Sequence, residues 1–86
     1  MDTIKLEELQ VKFLAAAKAY YVLRSDKEIL SDLEFDLLCR TLIREYDDTD
    51  WFSTHVSLED LQAGTGYAIK WEALPDWVNL EIDEML

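Results

Sequence analysis

Asp32 and Asp36 stand four residues apart, one helical turn, so on a helix both carboxylates can point the same way. Such a pair could serve a metal ion or a polar ligand. Arg40 follows at the same spacing and Arg44 extends the series. A solvated charged stripe with an Asp36–Arg40 pair accounts for the same residues, and its acids lie at the helix start and its bases toward the end, as the dipole favours. His55 is the single histidine. It has no cysteine or second histidine near it for a zinc site and no nucleophile and orienting group for a catalytic role, so it reads as a loop or surface residue. Cys39 is the single cysteine. It falls on the apolar stripe of a helix with no basic neighbour on that face to lower its pKa, which points to core packing, and it excludes an internal disulfide framework. Gly64-Thr65-Gly66 is too short for a phosphate loop and reads as a turn. On these residues no catalytic group, metal site or cofactor is expected, and the chain is read as a non-enzyme.

The elements that would position these residues are mainly helical. The spacing of Leu6, Leu9, Phe13, Ala16, Ala17 and Tyr20 predicts a first helix over about 3–23, capped by Asp2 or Thr3. Ile4, Val11 and Val22 form a second apolar ledge, and Glu8 with Lys12 supplies an i,i+4 pair. A polar loop around Ser25-Asp26-Lys27-Glu28 follows. Ser31-Asp32-Leu33-Glu34 then reads as a capping box that opens a second helix over about 32–46. Phe35, Leu38, Cys39, Leu42 and Tyr46 make its core face, while Leu33 and Leu37 lie on nearly the opposite side. The expected architecture is an antiparallel two-helix hairpin in a single domain spanning 1–86. Its broad apolar surfaces must be covered by the C-terminal part or by a partner. Trp51-Phe52 offers a compact aromatic anchor, and Ser57-Leu58-Glu59-Asp60 caps a short third helix closed by Gly64. Around 67–84 two readings compete. Tyr67, Ile69, Trp71 and Val78, Leu80, Ile82 alternate with other residues about Leu74-Pro75-Asp76, which favours a β-hairpin. A helix initiated at Pro75 and running to Leu86 fits as well.

The chain of 86 residues carries a net charge of −11. Residues 1–44 hold eight acids and seven bases, a balance of −1, whereas residues 45–86 hold eleven acids and only Lys70 as a base, a balance of −10. Such a surface repels phosphate backbones, so direct nucleic-acid binding is disfavoured. It attracts basic surfaces, including those that normally carry nucleic acid, besides aiding solubility. No run of about 18 apolar residues suits a membrane span. The first five residues lack the basic and apolar regions of a signal peptide, and the single cysteine fits the same picture, so a cytoplasmic location is expected.

Tyr20-Tyr21-Val22-Leu23, followed by Glu28-Ile29-Leu30-Ser31-Asp32-Leu33-Glu34-Phe35-Asp36-Leu37-Leu38, resembles the N-terminal helical subdomain of bacterial NAD-dependent DNA ligases over about residues 5–46. That subdomain has a tyrosine-rich helix end, a short loop, and Ser/Pro-Asp-x-Glu-Tyr-Asp opening the next helix. The resemblance implies a grip on the nicotinamide mononucleotide (NMN) half of NAD, with Tyr20, Asp32 and Asp36 matching ligand-contacting positions. Tyr21 stands where that family usually has histidine, and Phe35, where it usually has tyrosine, lacks the hydroxyl. The chain holds no Lys-x-Asp-Gly adenylation motif, so ligation by this chain alone is not expected.

Two functional expectations follow. The first is a small acidic interaction protein of the kind common in phage genomes. It would act as an inhibitor resembling a DNA mimic and bind the basic surface of a host nucleic-acid-handling protein. Leu33, Leu37, Asp47, Asp48, Asp50, Trp51, Phe52, Glu59 and Asp60 would form the interface. The second is a nucleotide-binding module in which Tyr20, Tyr21, Asp32, Phe35 and Asp36 hold NMN or NAD. A homo-oligomer built on the spare ledges is a further arrangement the pattern allows.

Overall fold

A computed structural model describes residues 3–23, 30–64 and 69–86. The elements are α1 (Thr3–Ala17), a π-helical turn (Lys18–Val22), α2 (Asp32–Arg44), α3 (Trp51–His55), α4 (Leu58–Ala63), a 3-10 turn (Trp71–Ala73) and α5 (Asp76–Met85). The fold is mainly α, and among the described residues there is no strand. No described helix is long and apolar enough to cross a membrane. The radius of gyration, 11.8 Å, is close to the ~12 Å of a globular chain of this length.

The central element is α1. Val11, Phe13, Leu14, Ala15 and Ala17 are all fully buried, so the helix is apolar nearly all round over this stretch, as a helix enclosed on several sides must be. It packs against α2 and against α5. The α1–α2 pair is antiparallel. Tyr20 and Tyr21 share a cavity with Asp32 and Phe35, Phe13 stacks on Phe35, and Leu9 and Lys12 meet Leu38 and Thr41 across a groove. Of the second ledge, Val11 is buried, whereas Ile4 and Val22 are exposed. Ion pairs join Lys18 to Asp83, Asp36 to Arg40 and Arg44 to Glu45, and the expected Glu8–Lys12 pair is not among them.

The capping box on α2 forms as expected. Glu34 N donates to Ser31 Oγ at 3.2 Å, and Ser31 N donates back to Glu34 Oε1 at 3.5 Å. Leu38, Cys39 and Leu42 are buried, with Phe35 and Tyr46 packed against the core. The same device recurs at Ser57 and Asp60 on α4, where the two bonds are each 3.1 Å. Gly64 ends α4 with φ 66°, a left-handed conformation that glycine adopts without a Cβ penalty.

Residues 69–84 depart from the hairpin. Pro75, with φ −56°, leads into α5, as proline suits a helix start. Val78 and Ile82 are fully buried while Leu80 is 65% exposed. A strand would place all three on one side, whereas a helix separates Leu80 from the others by more than a right angle. The helix prevails because it lays Val78 and Ile82 into the core shared with α1, burial worth roughly 1.5–3 kcal/mol per side chain. The loop around 24–29, Thr65-Gly66, the start of the first period-two run at Tyr67-Ala68 and the cap at Asp2 lie outside the described residues.

Candidate functional site

The end of α1 and the start of α2 enclose a cavity of about 210 Å³. Ala16, Ala17, Tyr20, Tyr21, Leu30, Asp32, Phe35 and Gly64 line it. The π turn sets the tyrosines. Leu23 N donates to Lys18 O at 3.0 Å, closing a turn that holds one residue more than an α-turn. The extra residue rotates the register, so Tyr21 turns inward while Tyr20 is 68% exposed. The rings of Tyr20 and Tyr21 meet edge to face at 4.9 Å. The Tyr21 hydroxyl donates to Gly64 O at 3.2 Å, tying the end of α1 to the close of α4.

Phe35 reaches the cavity from α2, but its ring also stacks on Phe13 at 5.4 Å. A tyrosine hydroxyl in its place would extend from a ring half-committed to the core. Asp32, in the first turn of α2, supplies the carboxylate of the lining. Asp36 does not join it. Its Oδ2 lies 3.1 Å from Arg40 Nε, in an exposed i,i+4 pair. Four of the five expected ligand-binding residues therefore come together, and the fifth is held in the charged stripe. Ala16, Ala17 and Gly64 line the cavity as well and were not among the expected residues. These small residues make room, and the alanine run is the signal that could have marked the space.

The chain matches no family model, no curated protein and no solved structure.

A second candidate surface belongs to the acidic half. Asp47, Asp48, Glu59, Glu72, Asp76, Glu81, Asp83 and Glu84 are all exposed. Asp50 and Asp60, expected with them, are half-buried and structural. Asp50 accepts from Trp51 N and from Gln10 Nε2, each at 2.8 Å, and Asp60 closes its capping box. The Trp51-Phe52 anchor divides. Phe52 is only 2% exposed and packs edge-on to Phe13, so it is core rather than interface. Trp51 is half-buried against Trp77, with ring centres 5.2 Å apart. Trp77, 39% exposed, is the tryptophan that reaches the surface. On the opposite half, Leu33 and Leu37 are 68% and 51% exposed, as their helical positions predict.

Local electrostatics follow from these contacts. The Thr49 hydroxyl and backbone amide both donate to Asp47 and hold its carboxyl below the usual range. Burial, with the nearby charges of Asp48 and Asp60, pushes the Tyr46 phenol up. Its hydroxyl donates to Val56 O at 2.8 Å. Burial, with Asp36 adding to it, raises the Cys39 thiol to about 11, so it is protonated and unreactive at neutral pH. His55 lies beside Trp51, and among the described residues no three His, Cys, Asp or Glu side chains gather as metal ligands.

Proposed function

We propose that the protein is a non-enzymatic interaction module whose acidic C-terminal half binds a basic surface on a protein partner, in the manner of a nucleic-acid mimic. One observation carries this reading. Eight carboxylates between Asp47 and Glu84 are exposed, on a half of the chain whose only base is Lys70. Concentrated like charge costs stability through self-repulsion, and it speeds association with an opposite charge. Partly exposed Trp77 and exposed Leu80 lie on α5 among these acids and supply apolar anchors, which charge alone lacks. Affinity capture with tagged protein at low and at high salt tests the reading. Recovery of basic, nucleic-acid-handling proteins at low salt, displaced by added DNA, is the expected result. No such partner, or retention indifferent to salt and DNA, would sink it.

The cavity supports a second reading. Two tyrosine rings, a phenylalanine ring and the Asp32 carboxylate suit a flat cationic ring such as the pyridinium of NMN or NAD. About 210 Å³ is below the ~300–1,000 Å³ of pockets that enclose drug-sized ligands, so the ring would enter and the remainder would lie outside. Calorimetry with NMN and NAD, on the native protein and on Tyr20→Ala and Asp32→Ala, is the test. Heat that both substitutions abolish supports this reading; no heat at millimolar ligand rejects it.

A further inference from the structure

The exposed face of α2 is self-complementary. Leu33 and Leu37 stand on it, 68% and 51% exposed, with Asp36, Arg40 and Arg44 also exposed along the same side of the helix. Beside it runs an apolar groove of about 280 Å³, with Leu9, Lys12, Leu30, Leu37 and Leu38 among its lining. The acids of the helix lie in its first turns and the arginines toward its end. Two such helices laid antiparallel therefore bring the arginines of each against the acids of the other.

We propose that α2 is the face on which two copies of this chain associate, as an antiparallel helix pair about a two-fold axis level with Leu38. In that arrangement the Leu37 side chains of the two copies lie on either side of the axis, each at the edge of the other copy's groove. Arg40 comes opposite Asp36 of the second copy, and Arg44 opposite Asp32, each pair twice by symmetry.

The charge distribution selects a second copy over other occupants. The whole chain carries −11, so two copies repel wherever acid is in excess. Around this face Asp32, Glu34, Asp36 and the Glu45 that pairs with Arg44 meet Lys12, Arg40 and Arg44, so the charges nearly cancel. Self-association meets less repulsion there than over residues 45–86, to which a basic partner is drawn instead. The inference stands apart from the proposed function, since it leaves the acidic half free and duplicates it.

Two leucines and a groove make a small interface, so association with a Kd between about 1 µM and 1 mM is expected. Sedimentation equilibrium should show the mass rise from 10.1 kDa toward twice that value across this range. Leu33→Asp with Leu37→Asp should stay monomeric with unchanged helical circular dichroism. Arg40→Glu should weaken association at least about fivefold. The double swap Asp36→Arg with Arg40→Glu should restore it, because both copies change together. These charge variants keep the inference testable if the leucine variant does not fold. A native protein that stays at 10.1 kDa throughout overturns the inference, as does a folded leucine variant that associates like the native chain. A double swap that fails to recover overturns the antiparallel pairing.

Discussion

The two halves of the chain use similar local devices for different ends. Up to Arg44 the charges nearly cancel, and the elements leave a cavity at one end and a leucine face on the outside. Beyond Arg44 the charge is −10, yet two of the acids, Asp50 and Asp60, are used inward as caps. Sequence acidity therefore overstates the free acidic surface there, while in the first half Asp36 stays at the surface, paired with Arg40. The halves are joined through Phe13, whose ring meets Phe35 of α2 and Phe52 of α3.

Removing that joint should have the largest effect. Phe13→Ala is expected to cost about 3–5 kcal/mol, most of the ~5–10 kcal/mol stability of a domain this size. Chemical denaturation should show a lowered midpoint followed by both Tyr and Trp signals together. Loss of only one signal would mean that the halves fold apart. Next, Ile82→Ala should cost about 2–5 kcal/mol and Leu80→Ala less than ~0.5 kcal/mol. Equal costs in denaturant melts would return the C-terminal region to a strand-like arrangement.

A pH effect of intermediate size sits in the first half. The unfolded Cys39 thiol ionises near 9.0, whereas the folded one holds its proton to about 11. The folded state thus binds more protons in that window. Its stabilisation is complete below pH 9 and is lost on rising through 11, by on the order of 2 kcal/mol. Melting temperatures across this range should fall less steeply for Cys39→Ala. Last, Ser31→Ala and Ser57→Ala remove the same cap from the two halves and should each cost about 1 kcal/mol. A much larger loss at Ser57 in calorimetric melts would mark α4 as the less independent helix.

Both capping boxes and the core face of α2 were legible in the sequence because they depend on residues three or four apart. The C-terminal helix was legible only as the less favoured of two readings. Val78 and Ile82 satisfy a period of two and a helical period equally, and only the exposure of Leu80 separates them. Tyr20 and Tyr21 exchanged the expected inward position because a π turn breaks the 3.6-residue count. Phe52 reads as a surface anchor beside Trp51 until α1 covers it, and that is decided across 39 residues of chain by the contact with Phe13. Asp36 could be read as a ligand or as a partner of Arg40, and the structure has it in the ion pair.

The contact between Trp51 and Trp77, 5.2 Å apart and inclined at 68°, also has an optical consequence. Two indole chromophores this close and this far from parallel couple their transitions, so the native chain should show a stronger near-ultraviolet circular dichroism than the same rings held apart. Because one indole sits on α3 and the other on α5, the coupled part of that signal registers the docking of the C-terminal helix and is lost when it lifts away, even while the far-ultraviolet helical spectrum persists.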